Sequence, residues 1–489
     1  MEKLEGRKVL VVGLARSGVA AAKLLCREGA RVTATDMRSA AQLADAIAEL
    51  HPLGVRFELG GHAEASFTQS EMIVVSPGVP LAGVELVAAR KAGVPILGEA
   101  ELAARFIEEP LLAITGTNGK STTTALLGHL LEQGGKRVFV GGNLGLPLSE
   151  RVLRGGALDY TVVELSSYQL EAVEELRPLV AILTNLSPDH LDRYPGPEAY
   201  YEAKRAIFRM QTADDYAILN AEDPKTLALH QGARSLALSF GAGPPQSRGI
   251  RDDGSHLVLR GIPGTDGGEE RYPAEVPREP EARQRKGAPS REVRAEGIAP
   301  APAGEIPSQA LGPALRGRHN RENAMAAILA ARLVGLSPDS IRQGLASFGG
   351  LPHRLELVRT LDGVEWINDS KATNVDSAQV ALAALPGPIV WIAGGRGKGA
   401  PYAPLRPLAS SRVKAILTIG EDADTIAAEL GDLATTTPCG TLDEAVRKAR
   451  GLAAPGDQVL LSPACASFDQ FRSYEARGDA FRLQVEALG

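Results

Sequence analysis

Short runs of consecutive apolar residues, each ending in Gly, Asp, Asn or Ser, alternate along the chain with Ala- and Leu-rich stretches of helical character. The runs predict strands over residues 8–13, 31–36, 71–76, 111–115, 161–165, 180–185, 389–393, 413–420 and 458–462. Their apolarity is continuous rather than alternating, which marks strands covered on both faces, as in parallel sheets. Helices between such strands favour doubly wound α/β layers over sandwiches or bundles.

One strand series closes near Gly98 and the next opens at Leu111; a second break falls at Gly349-Gly350. The expected organisation is therefore three α/β domains, 1–98, 99–350 and 351–489, in keeping with roughly 100–200 residues per domain. Residues 261–313 stand apart, holding nine of the 32 prolines, many charges and hardly any apolar cluster. Such a stretch cannot bury enough surface to offset chain entropy and reads as a flexible insertion in the middle domain. A net charge of −6 provides no basic field for nucleic acid or anionic membranes. No apolar stretch reaches the ~18–20 residues of a membrane span, and the start has no signal-peptide core. Cys26, Cys439 and Cys465 are odd in number and far apart, which excludes a disulfide scaffold and a cysteine zinc site and fits a reducing cytoplasm.

Two turns carry phosphate chemistry. The first strand runs into Gly13-Leu14-Ala15-Arg16-Ser17-Gly18 and a helix, and the second ends at Asp36. Small residues before a helix N-terminus let backbone N–H groups approach a phosphate, and an acid after the second strand often meets a ribose diol. With Ala15 replacing the middle glycine, a turn needed only for helix–strand packing stays open. The second turn is sharper: Leu111–Thr115 leads into Gly116-Thr117-Asn118-Gly119-Lys120-Ser121-Thr122 and an Ala/Leu helix. This is a short variant of a phosphate loop, in which Lys120 would reach β/γ oxygens and the Ser121 hydroxyl would bind Mg²⁺. Downstream, Glu164 ends one strand, and Thr184-Asn185-Leu186-Ser187-Pro188-Asp189-His190-Leu191-Asp192 ends another, where ligands of α/β sheets gather.

The third unit holds polar clusters that each follow a strand: Trp366 to Asn374, Gly394-Gly395-Arg396-Gly397-Lys398-Gly399, and Ser462 to Phe471, the last expected to open a helix at Ser467. Lys371, Lys398 and that helix start suit a small dicarboxylate. Each cluster also has a reading as turn chemistry. Cys465 reads as a small packed residue. Together these features point to ATP-dependent joining of two substrates. A nicotinamide-dependent oxidoreductase would use the first turn and Asp36 but has no need of Lys120-Ser121.

At these motifs the chain resembles the Mur ligase family, over nearly its whole length outside 261–313. The family-wide part is Gly116 to Ser121, Glu164, Asp189-His190, Lys204, Asn320 and Asn323; residues 368–374 and 462–471 resemble the D-glutamate-adding members. The resemblance implies a Rossmann-like N-terminal domain, a P-loop-like ATPase and a Rossmann-like C-terminal domain. It also implies a monomer that uses ATP and two Mg²⁺ ions to join UDP-N-acetylmuramoyl-L-alanine and D-glutamate, without nucleic acid or membrane insertion. Residue by residue, it implies UDP-substrate contacts at Leu14, Ala15, Arg16, Ser17, Gly18, Asp36, Arg38 and Asn143. ATP contacts fall at Gly116 to Thr122, Asn320, Arg354 and Asp369, with Lys120, His190 and Lys204 catalytic. Ser121 and Glu164 would bind one Mg²⁺, His190 and Lys204 the second. Lys371, Thr373, Ser467 and Phe468 would surround D-glutamate. Lys204 lies on a helical stretch, 197–205, where a solvated lysine is the ordinary reading. Near a second Mg²⁺ it would instead serve as a carbamate, an oxygen ligand made by adding CO₂ to the neutral amine.

Overall fold

The computed structural model describes residues 4–190, 193–241, 248–252, 256–262, 306–307, 315, 318–397 and 399–489. Most of the expected insertion, with Leu191, Asp192 and Lys398, lies outside them. The chain forms two compact units, Met1–Ala310 with His319–Ser347, and Leu311–Arg318 with Phe348–Gly489.

The first unit carries two sheets. Strands β1 (Lys8–Val12), β2 (Arg31–Asp36), β3 (Arg56–Leu59), β4 (Met72–Val75) and β5 (Ile96–Gly98) pair in the order β3-β2-β1-β4-β5, all parallel. The apolar run in β1 is continuous because its faces serve two cores. Val9 and Val11 pack with Leu24 and Val74, whereas Leu10 and Val12 pack with Phe67, Ile73 and Leu86.

The second sheet comprises β6 (Leu111–Thr115), β7 (Val138–Gly142), β8 (Tyr160–Glu164), β9 (Val180–Leu183), β10 (Tyr216–Asn220), β11 (Leu236–Phe240), β12 (Gly249–Asp252), β13 (His256–Arg260) and β14 (Ile306–Pro307). Its order is β14-β13-β12-β11-β10-β9-β6-β8-β7. The strands from β7 to β12 are parallel; β13 and β14 add an antiparallel edge. Ile306–Pro307 falls inside the expected insertion yet pairs with β13, so the sequence boundary is corrected there: backbone pairing at a sheet edge does not require an apolar cluster.

The second unit holds β15 (Glu356–Leu361), β16 (Val364–Asn368), β17 (Ile389–Gly394), β18 (Val413–Ile419), β19 (Thr435–Gly440) and β20 (Gln458–Leu461), ordered β15-β16-β20-β17-β18-β19. All pairs are parallel except the β15–β16 hairpin. Ile389 and Trp391 face one core, Val390 and Ile392 the other.

All nine expected strands form, with ends that move by no more than two residues. The polar residues at those ends leave the ladder for the loops of the site. The strands that the apolar pattern missed include the edge strands β3, β7, β15 and β19, only partly buried and so without a continuous run.

Candidate active site

Strand β6 is wholly buried and delivers the chain into the loop Gly116–Gly119 and the helix Lys120–Gln133. Gly116 has φ 144°, and a Cβ there would lie 1.9 Å from Thr184 Oγ1; Gly119 has φ 83°, and its Cβ would lie 2.2 Å from Asn323 Oδ1. Only glycine meets both demands without strain. The end of β9 then fixes the loop. Thr117 N–H donates to the Asn185 carbonyl at 2.9 Å, Asn118 N–H to Asn185 Oδ1 at 2.9 Å, and Thr184 Oγ1 to the Asn118 carbonyl at 2.6 Å. Asn323 Nδ2 donates in turn to Asn320 Oδ1 at 3.3 Å, so both asparagines sit at the rim of the loop. Asn185 is the brace that motif reading passed over; its place at a strand end two residues before Ser187 was the available signal.

Four polar side chains converge beside this loop. Lys120 folds back, its Nζ donating to the carbonyls of Gly116 at 3.0 Å and Thr117 at 2.8 Å. Lys204, on the helix Pro197–Arg205, donates to the same Gly116 carbonyl at 2.8 Å and lies over the Tyr200 ring, 4.5 Å from its centroid. It is only 1% exposed, which overturns the ordinary surface reading. Burial holds its ammonium well below the usual lysine range, Lys120 pushes the same way, and Asp189 and Glu164 oppose them. Glu164 is buried at the end of β8. Its Oε1 accepts from Asn143 Nδ2 at 2.7 Å, and its Oε2 has no hydrogen-bond partner. His190 is joined to the group through aromatic rings, with Nδ1 2.8 Å from Tyr168 Oη and its ring 5.9 Å from that of Tyr200.

No group of three or more His, Cys, Asp or Glu that could hold a metal exists among the described residues. The donor types present nevertheless fit Mg²⁺, which takes one or two carboxylates plus substrate phosphates and retains water. An orphaned, buried carboxylate oxygen on Glu164, with Ser121 in the first turn of the helix, meets that requirement.

The first turn opens onto a groove of about 320 Å³, lined by Leu14, Ala15, Arg16 and Arg38 and, from the second sheet's side, by Leu146 and Pro147. Asp36 holds the turn. One oxygen accepts from Leu14 N–H at 2.7 Å, and the carboxylate pairs with Arg38 at 2.7 Å. Burial works against its charge, but Arg38 and the two backbone donors bring its pKa down to about 2. Gly18 is set by packing, because a Cβ there would lie 1.8 Å from the Gly13 carbonyl. Neither Ser17 nor Gly18 lines the groove.

In the second unit, Asp369 is 5% exposed and burial raises its pKa to about 7, against a 2.8 Å hydrogen bond from Ser462 Oγ and the charges of Arg354 and Lys371. The peptide N–H of Lys371 donates to the His353 carbonyl, and Asn374 caps the helix Val375–Ala384. Two expectations are corrected. Trp366 to Asn368 belong to β16 rather than following it, and no helix opens at Ser467; the last helix starts at Tyr474, capped by Ser473. The chain entering Ser467 is held by Arg396 and Ala466, which exchange backbone hydrogen bonds. Ser467 is buried, whereas Phe468 is 64% exposed. Cys465 is fully buried, and burial raises its thiol to about 11, as suits a packed residue. Arg477, not foreseen, is 1% exposed and donates to the Ser370 hydroxyl and carbonyl and to the carbonyls of Cys465 and Ala466. It ties the two expected D-glutamate loops together; from sequence it was one more arginine on a helix.

Three family models match the chain: the Mur ligase MurD-like N-terminal domain over residues 7–98, the Mur ligase middle domain over 114–256, and the Mur ligase glutamate ligase domain over 353–465. The chain belongs to the Mur ligase family. The UDP-N-acetylmuramoylalanine–D-glutamate ligase of Anaeromyxobacter dehalogenans is 55% identical over 98% of this chain and 97% of its own. That of Myxococcus xanthus is 48% identical over 99% of both. The fold is also that of the UDP-N-acetylmuramate-alanine ligase MurC from Thermotoga maritima, with a TM-score of 0.56 at 20% identity, covering 98% of this chain and 100% of that one. No helix among the described residues is long and apolar enough to cross a membrane.

Proposed function

We propose that this Mur ligase joins D-glutamate to UDP-N-acetylmuramoyl-L-alanine with conversion of ATP to ADP and phosphate, a step of peptidoglycan precursor synthesis. The observation that carries the reading is full-length likeness, at 55% and 48% identity, to two ligases of that specificity.

A carboxylate is a poor acyl donor. Its oxygen therefore attacks the γ-phosphorus of ATP, the bond to ADP breaks, and an acyl phosphate forms. The D-glutamate amine attacks the acyl carbon, loses a proton, and phosphate leaves. Phosphoryl transfer of this kind needs positioning and charge neutralisation more than covalent help. Lys120 supplies a cation by exchanging its two loop carbonyls for β/γ oxygens. Gly116 to Thr122 cradle the phosphates at the helix N-terminus, and Asn320 takes the adenine side. Ser121 and Glu164 would hold one Mg²⁺, and His190 with Lys204 as its carbamate a second; bound there, the ions would supply positive charge against the transferring phosphoryl group. Asn143 meets the alanyl arm of the acceptor while donating to Glu164, so one side chain touches both substrate and metal ligand. Leu14 to Arg16 and Arg38 take the UDP end in their groove, with Asp36 holding the turn in shape. Arg354 and Asp369 serve ATP, while Lys371, Thr373, Ser467 and Phe468 serve D-glutamate.

Phosphate release from ATP is the test, measured with the UDP-linked alanyl acceptor, with and without D-glutamate. Release should require both substrates, and L-glutamate or L-lysine should give little product. Equal use of L-glutamate would reject the assignment.

A further inference from the structure

The Tyr168 hydroxyl lies 2.8 Å from His190 Nδ1, with ring centroids 4.8 Å apart. Tyr168 itself is firmly placed. It belongs to the short helix Ser167–Leu170, which Ser166 caps. The Arg193 guanidinium lies 4.2 Å from its ring centroid, and Tyr194 stacks at 6.1 Å and 24°. Arg193 is held by Glu171 at 2.7 Å and by the Gly78 and Val79 carbonyls at 3.4 and 3.3 Å, and the Tyr194 hydroxyl also donates to Glu171. His190 is anchored through its backbone, its N–H donating to Asp189 Oδ1 at 2.9 Å, and through the edge-on contact with the Tyr200 ring. Its backbone sits at φ 53°, a conformation that a residue with a Cβ adopts at a cost, and its ring is 43% exposed. Its other nitrogen, Nε2, lies 3.6 Å from Asp189 Oδ2.

A hydrogen bond at one imidazole nitrogen decides which role remains for the other, and metal-binding histidines commonly donate their second N–H to a neighbour. We propose that Tyr168 is a positioning residue for His190, its hydroxyl oxygen accepting the Nδ1 proton so that the Nε2 lone pair, beside the Asp189 carboxylate, is left for a cation. The contact matters because Mg²⁺ binds imidazole weakly, so a ring free to flip or change tautomer would seldom present the correct nitrogen. The functional part of this inference rests on the proposed role of His190 at the metal. The Tyr168 contact stands independently of that role.

Nitrogen-15 NMR of the full-length, histidine-labelled protein tests the inference above the ordinary imidazole titration range, with His190→Ala identifying the signals. Wild-type His190 should carry its proton on Nδ1. Tyr168→Phe, which keeps the ring and loses only the hydroxyl, should move the proton towards Nε2, the form preferred in water. Tyr194→Phe should leave the pattern unchanged. In the ligase assay Tyr168→Phe should lower kcat about five- to tenfold, the loss of one hydrogen bond, and raise the Mg²⁺ needed for half-maximal activity, with KM for D-glutamate unchanged. A wild-type ring protonated on Nε2, or unchanged ring nitrogens in Tyr168→Phe, would overturn the contact; a shifted tautomer with unchanged kcat would overturn its positioning role. Full activity in His190→Ala would instead reject the metal role of His190, whatever the ring signals show.

Discussion

Lys204 Nζ and Lys120 Nζ both donate to the Gly116 carbonyl oxygen, at 2.8 and 3.0 Å. Two ammonium groups on one acceptor, one of them buried, repel each other, and the cheapest relief is loss of a proton from the buried lysine. A neutral amine is the form that adds CO₂: the nitrogen bonds to carbon, a proton leaves, and an anionic carbamate results. We therefore expect a ¹³C carbamate signal in protein equilibrated with ¹³CO₂ that is absent from Lys204→Ala. The same variant should lose activity on the order of a hundredfold or more. A fully active Lys204→Ala enzyme would leave the residue a structural role only.

Gly119→Ala should spoil the nucleotide site while leaving the fold intact. The new Cβ meets Asn323 Oδ1 at 2.2 Å and stands at φ 83°, so both the backbone and the buried asparagine must shift. KM for ATP should rise about tenfold, in proportion to the one or two kcal/mol that left-handed backbone costs a residue with a Cβ. Isotope-edited or steady-state ATP binding checks this, and an unchanged KM would argue against the loop as the ATP cradle.

Glu99 provides a pH dependence of stability. Burial raises its pKa to about 7, against the 2.6 Å hydrogen bond from Ser149 N–H, and its second oxygen has no partner. The folded state therefore favours the protonated carboxyl. The contribution is fully present below the unfolded pKa, near 4.5, and is lost as pH rises through about 7. Glu99→Gln keeps an acceptor for Ser149 and removes the titration. Its Tm relative to wild type should rise between pH 5 and 8, on the order of a few degrees at most. A constant difference across that range would sink the idea.

Replacing residues 263–305 by a short Gly/Ser linker should leave ligase activity within about a few-fold, since loop closure depends only weakly on length. The cut keeps β13 and Ile306–Pro307, which pair with each other. Loss of folding or activity would show that the segment packs or binds something.

Much of this was determined locally. Continuous apolar runs had to become two-sided strands, because no alternating pattern offered a solvent face, and Ile389 to Ala393 divides its side chains between two cores accordingly. Gly116, Gly119 and Lys120 were legible because a tight turn before a helix restricts which residues can stand there. What sequence could not determine is whether a polar side chain is buried and by what. Lys204 and Arg477 look like surface residues on their helices, yet each is 1% exposed, because the elements packed over them come from distant parts of the chain. Asp36 carried the expected spacing, but Arg38 and the Leu14 N–H already engage its carboxylate. The Tyr168–His190 contact joins the segments that follow two separate strands. Backbone preference and apolar pattern act over a few residues and can be read along the chain; desolvation and charge pairing act across space, and only the tertiary fold decides them.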